Sequence, residues 1–123
     1  MRLLLDSHVF LWFLTDSPRL SRRADTAITG AQQVWLSHLS IWEFTIKQAL
    51  GRLTLSEAPE AMALRSGITL LPIDLRHIRL TGTLERVHGD PFDRLLVAQA
   101  LEEGLVLVTA DAMMQRYPVA WLW

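Results

Sequence analysis

A chain of 123 residues, half of them apolar and five of them Trp, has the material for one packed domain and is too hydrophobic for a disordered segment. Its net charge of −1 denies it the broad basic field of many nucleic-acid binders, and the lack of cysteine excludes disulfides and thiolate metal sites. No apolar run reaches the ~18 residues of a membrane-crossing helix. Asp6 and His8 break the hydrophobic N-terminus and no small-residue cleavage site follows, which reads against a signal peptide. A cytoplasmic location is the expectation. Eleven Arg against the single Lys47 suit bidentate phosphate contacts, although a GC-rich genome produces the same bias.

In chain order, "RLLL" (2–5) is a short apolar run that ends at Asp6, the pattern of a buried strand. "SHVFLWFLT" offers Ser7 as a cap and then a helical apolar patch. Ser21 is the expected cap of the next helix, and Gly30 its stop. "VWL" (34–36) is a second strand, and "SHLSIWEFTIKQALG" a helix closed by Gly51. A helix in "SEAPEAMALRSG" precedes a third strand, "ITLLPI" (68–73). Asp74 then caps a helix in "DLRHIRLTGTL". "HGDPFDRLLVAQA" (88–100) starts another, with Asp90 as cap and Pro91 in the first turn. "LVLVT" (105–109) is the clearest strand, and "VAWLW" (119–123) the last. Solidly apolar strands that alternate with helices predict an α/β three-layer domain, residues 1–123, with a parallel sheet covered on both faces.

In such a sheet, functional groups gather beyond the carboxyl ends of the strands. Asp6 follows the first strand, Asp111 follows "LVLVT", and Asp90 and Asp93 open the helix that leads into it. Glu43 lies early in the helix after "VWL". All five acids can sit on one sheet edge. Plainer roles exist for each: a strand-end turn for Asp6, a capping box with Ser40 or a pair with Lys47 for Glu43, helix-start roles for Asp93 and Asp111. Glu43, however, shares a helical face with Leu39, Ile46 and Leu50, where an unpaired carboxylate is costly.

Like charges held together need a cation. His8, His38, His77 and His88 form no HxxxH or HxH pair, so an all-oxygen site for Mg²⁺ or Mn²⁺ is expected rather than zinc. Such an ion, held by carboxylates, is the usual apparatus for attack on a phosphodiester.

"LLLDSHVFLW", "SIWEFTIKQALGRL", "HGDPFDRLLVAQA" and "LVTAD" together resemble a PIN domain of the VapC type, the toxin of a bacterial toxin–antitoxin pair. The resemblance runs from Leu3 to the end of the chain. It implies a five-stranded parallel sheet and a Mg²⁺- or Mn²⁺-dependent endoribonuclease acting on RNA, for example a structured RNA such as tRNA or rRNA. Matched motif by motif, its four acids are Asp6, Glu43, Asp93 and Asp111. Asp6 and Asp93 are expected to ligate the ion directly, Asp111 to complete the site, and Glu43 to act through a water or a second ion. Asp90 belongs to the "DPFD" variant of the motif and assists from beside the ligands. Ser7 and Arg94 are candidates for contacts to phosphate or around the ligands, beside plainer capping and helix-surface roles. Ala110 stands where many relatives carry a basic or polar residue. The resemblance further implies a homodimer and a cognate antitoxin. The apolar surplus in "VFLWFL", Trp42 and "AWLW" fits such interfaces. The alternative function is a PIN-fold module that binds RNA or a partner without cutting. A receiver-type signalling domain fits poorly, because the sole Lys lies inside a helix.

Overall fold

A computed structural model describes residues 1–123. Five strands, β1 (Arg2–Leu5), β2 (Gln33–Ser37), β3 (Thr69–Leu71), β4 (Val106–Val108) and β5 (Trp121–Leu122), pair in parallel in the order β3-β2-β1-β4-β5. Six helices connect them: α1 (Ser7–Leu14), α2 (Arg22–Gly30), α3 (His38–Ala49), α4 (Pro59–Arg65), α5 (Leu75–Thr81) and α6 (Pro91–Glu103). A 3₁₀ turn over Met114–Arg116 precedes β5. No helix is long and apolar enough to cross a membrane.

The central strand shows why its sequence is apolar without alternation. Side chains on a strand point to opposite faces in turn. Leu3 and Leu5 enter one core layer with Phe10, Ile28 and Phe44, whereas Leu4 enters the other with Leu96, Val97 and Tyr117. All three leucines are fully buried, so each face of β1 is covered by helices, as a parallel sheet requires.

The helix ends follow the local chemistry. Ser21 Oγ accepts from the Ala24 N–H and caps α2. Asp74 caps α5, accepting from the N–H groups of Arg76 and His77. Asp90 Oδ1 accepts from the N–H groups of Phe92 and Asp93, with Pro91 in the first turn of α6, and Gly104 ends that helix in the left-handed conformation at φ 66°. At α1 the expectation changes: Asp6 is the N-cap residue without a side-chain capping bond, and Ser7 is the first helical residue, its hydroxyl turned elsewhere. At α3 the cap is Ser37, accepting from the Leu39 N–H, so Ser40 and Glu43 form no capping box there.

The expected apolar stripe on α3 is also corrected. Leu39 packs into one layer and Phe44 into the other, so α3 touches both. Ile46 and Leu50 remain exposed, at 36% and 59%. The Glu43 carboxylate therefore does not interrupt a buried stripe.

The start of α3 is tied to α6 by Gln99, which is fully buried. Its Oε1 accepts from the Ser37 hydroxyl, and its Nε2 donates to the Pro72 carbonyl at 3.3 Å. Replacing Gln99 by Leu leaves the buried Ser37 hydroxyl without its acceptor in the core, whereas the exposed Pro72 can turn its carbonyl to water. The expected loss is about 1–3 kcal/mol in urea unfolding; a loss below about 0.5 kcal/mol would show that the tie contributes little.

Candidate active site

The strand order reverses between β1 and its neighbours β2 and β4, and open parallel sheets carry ligands outside the carboxyl ends at that point. Asp6 directly follows β1, and its N–H donates to Val108 O of β4 at 3.0 Å. Asp111 follows β4 by three residues. Asp93 sits in the first turn of α6, whose start lies at the same sheet edge because α6 runs back before feeding β4. Asp6, Glu43, Asp90, Asp93 and Asp111 line one cavity of about 440 Å³, together with His8, Trp12 and Arg19 from α1 and the loop after it.

Each aspartate at the centre is tied through one oxygen. Asp6 Oδ2 accepts from the Thr109 hydroxyl at 2.8 Å. The same hydroxyl oxygen accepts from the Asp111 N–H at 3.0 Å, so one buried Thr links both acids. Asp111 Oδ1 accepts from the Met113 N–H at 2.8 Å. Asp93 Oδ2 pairs with His88 Nε2 at 3.0 Å. The second oxygen of each of these aspartates has no side-chain partner.

Glu43 differs. Its Oε1 accepts from Ser7 Oγ at 2.9 Å, and its Oε2 pairs with Lys47 at 3.0 Å. Ser7 Oγ also lies 2.8 Å from Ser40 Oγ. Because Ser7 has one proton, the consistent order runs from Ser40 to Ser7 to Glu43. Ser7 thus holds an acid instead of capping α1.

Burial raises the Asp6 carboxyl above its ordinary 3.8, only partly opposed by the Thr109 hydroxyl, with Glu43 adding repulsion. Burial also lifts Asp93, to about 6; His88 opposes, and the charges of Asp90, Asp111 and Asp6 push it further. Both shifts run the same way, upward, with burial the largest cause and the neighbouring carboxylates adding to it.

Arg94 is removed from the phosphate-binding candidates. Its guanidinium donates to the carbonyls of Thr81, Leu84 and Glu85 and to the Tyr117 hydroxyl, and it does not line the acid cavity. Asp90 both caps α6 and lines the cavity. Residues that sequence reasoning did not single out are Thr109, Tyr117 and Arg19; Trp12, counted there with the apolar surplus, lines the acid cavity. Only Thr109 carried a local signal, a polar residue at a strand end two positions before an acid.

A second group brings ligand-type atoms of Asp74, His77 and Glu103 within 4.8 Å of one another. It lies at the other end of α6 from Asp93, roughly 15 Å along the helix axis. Arg76 already bridges Asp74 and Glu103, at 3.0 and 3.1 Å, and holds the Asp74 carboxyl below its usual range. His77 uses Nδ1 for the Asp74 N–H and Nε2 for Glu103. With its cation supplied by the chain, this group ties α5 to α6.

The PIN domain family model matches residues 3–120. Ribonuclease VapC22 of Mycobacterium tuberculosis (strain ATCC 25618 / H37Rv) is 30% identical over 122 residues, covering 93% of this chain and 90% of the relative. Among solved structures, VapBC2 from Rickettsia felis bound to a DNA fragment from its promoter has a similar fold, with a TM-score of 0.73 at 13% identity, covering 100% of this chain and 99% of that one. DNA-bound VapBC from Salmonella typhimurium gives 0.68 at 18% identity, over 99% and 97% of the two chains. The fold, the span of the match and the identity to a VapC protein agree, and this chain belongs to the PIN domain family.

Proposed function

We propose that the chain is a divalent-metal-dependent endoribonuclease of the toxin type, with Asp6, Asp93 and Asp111 as direct ligands of Mg²⁺ or Mn²⁺. One observation carries the reading: three aspartates at one cavity each commit a single oxygen to the protein and keep the other without a side-chain partner. The donor set is all oxygen, the chain has no cysteine, and His88 is engaged through both ring nitrogens, which suits a hard cation and not zinc. When bound, the ion supplies charge that offsets the developing negative charge on the scissile phosphate and makes water nucleophilic at neutral pH.

The protein's own groups do the positioning. Thr109 fixes Asp6 against Asp111, so the two strand-end carboxylates keep their spacing. Glu43, with both oxygens held by Ser7 and Lys47, is assigned an action through water or a second ion. Asp90 adds negative charge beside the ligands. Arg19 lines the cavity, is exposed, and makes no ion pair with any of the acids. We assign it to a substrate phosphate. Arg19→Ala is expected to raise KM for RNA about tenfold with kcat changed less than about threefold; steady-state cleavage of a fixed RNA measures both, and an unchanged KM would remove Arg19 from the substrate site.

The matching relative is named a ribonuclease, and the solved neighbours are VapBC complexes. On that basis RNA is the substrate, a structured RNA such as tRNA or rRNA is the first target class to test, and a cognate antitoxin and a homodimer are the partners, in the cytoplasm. Exposed Trp42 and Leu50 on α3 are available apolar surface for such contacts. The function is tested by incubating total cellular RNA with purified protein in Mg²⁺ or Mn²⁺ against EDTA, with Asp6→Ala alongside. Discrete products that need both the metal and Asp6 are expected. No cleavage and no metal binding by folded protein would favour a non-catalytic binding module.

A further inference from the structure

We propose that His88, Tyr117 and Arg94 form a hydrogen-bonded strut that orients the Asp93 carboxylate for cation binding. The proposal rests on the reading that the acid cavity holds a divalent ion. None of the three residues lines that cavity, yet they join into one chain that ends on Asp93. His88 Nε2 is 3.0 Å from Asp93 Oδ2, His88 Nδ1 is 2.8 Å from the Tyr117 hydroxyl, and Arg94 Nη1 is 3.2 Å from the same hydroxyl.

The direction of every bond follows from donor chemistry. A guanidinium only donates, so the Tyr117 oxygen accepts from Arg94 and its own proton is free to be given. The nearest acceptor is His88 Nδ1; the His88 carbonyl, at 3.4 Å, is farther. With Nδ1 accepting, Nε2 carries the ring proton and donates it to Asp93 Oδ2. The remaining oxygen, Oδ1, is then the one presented to the cavity. Carboxylate ligands are commonly set in this way by a hydrogen-bond donor behind them.

The strut is anchored at its far end. Arg94 also donates to the carbonyl of Thr81, the last residue of α5, and to those of Leu84 and Glu85 on the connection between α5 and α6 that carries His88 itself. Tyr117 is almost fully buried, 3% exposed, and its ring packs against the imidazole with centroids 5.5 Å apart. Arg94 lies over the Tyr117 ring at 5.9 Å. Packing and hydrogen bonds thus fix the imidazole from two sides, and the side chain that follows Asp93 in sequence serves Asp93 through two others.

The test is Mn²⁺ affinity by calorimetry without RNA, on wild type, His88→Ala, His88→Gln and Tyr117→Phe, with thermal unfolding in EDTA to verify folding. Wild type is expected to bind Mn²⁺. His88→Ala is expected to bind it 10–100-fold more weakly, and Tyr117→Phe, which keeps the ring packing and deletes only the hydroxyl, about tenfold more weakly. Gln places an amide N–H near the position of Nε2, so His88→Gln should recover affinity to within roughly threefold of wild type. Nitrogen NMR of metal-free protein should show the Nε2–H tautomer of His88 in wild type and its loss of preference in Tyr117→Phe. Wild-type Mn²⁺ affinity in folded Tyr117→Phe and His88→Ala would overturn the strut and leave the metal site standing. Failure of wild type to bind Mn²⁺ would overturn the metal site and the strut with it.

Discussion

Asp93→Asn should abolish metal-dependent RNA cleavage and at the same time make the metal-free protein more stable. The loss is expected to be at least about 10³-fold, because a direct ligand to the ion contributes several kcal/mol to the transition state. The gain has the opposite origin. The folded protein holds the Asp93 carboxyl at about 6, against an ordinary 3.8, chiefly because burial penalises its charge. Above pH 6 an ionised Asp93 therefore destabilises the fold, by about 3 kcal/mol at most and on the order of 1–3 once its partial exposure is allowed for. Asparagine removes the charge and keeps an oxygen that His88 Nε2–H can still reach. Thermal melts of both proteins in EDTA at neutral pH measure the effect. A variant that cuts RNA at the wild-type rate, or that melts below wild type, contradicts the assignment. Catalytic sites that sacrifice stability in this way are a general feature of enzymes.

The second large effect is its pH dependence. Between about pH 4 and about pH 6 the folded chain binds the Asp93 proton more tightly than the unfolded chain does. Metal-free stability must then fall as pH rises through that window, the reverse of the usual behaviour of a salt-bridged carboxylate. Asp6, also raised by burial, adds a contribution of the same sign. Subtracting the Asp93→Asn profile from that of wild type isolates the Asp93 part from every other titrating group. Mn²⁺ should reverse the loss above pH 6, by about 2.7 kcal/mol when the ion is present at 100 times its dissociation constant. Denaturant unfolding across pH 4–8, in EDTA and in Mn²⁺, measures both terms. A flat difference profile in EDTA would show that burial does not raise the Asp93 carboxyl, and no stabilisation by Mn²⁺ would show that the cavity does not hold the ion.

Much of the fold was legible because local rules and tertiary structure agree. The apolar runs at 2–5 and 105–109 are buried strands, and Asp90–Pro91 and Gly104 bracket α6 where capping chemistry puts them. The strands came out shorter than their apolar runs: "ITLLPI" pairs only over Thr69–Leu71, since Pro72 has no N–H to donate to a ladder. The convergence of the acids on one edge was readable too, because a parallel sheet places every strand's carboxyl end on the same side.

What sequence could not supply are contacts between distant residues. His88 and Tyr117 are 29 positions apart, and nothing local marks either as the other's partner. Arg94 looked like a surface cation next to an acid; only the backbone carbonyls at the end of α5 and on the α5–α6 connection reveal that both its terminal nitrogens are engaged. The stripe on α3 misled for a related reason. Helical periodicity identifies residues that share a face, but not whether the sheet extends far enough to cover it, and beyond Phe44 it leaves Ile46 and Leu50 in solvent.

The most direct test of the central claim is a crystal of the protein soaked in Mn²⁺ and measured for anomalous scattering. A peak in contact with the carboxylates of Asp6, Asp93 and Asp111, absent from Asp93→Asn crystals, is the expected result. A peak at Asp74, His77 and Glu103 alone, or none at all in crystals whose acid cavity is open to solvent, would contradict it.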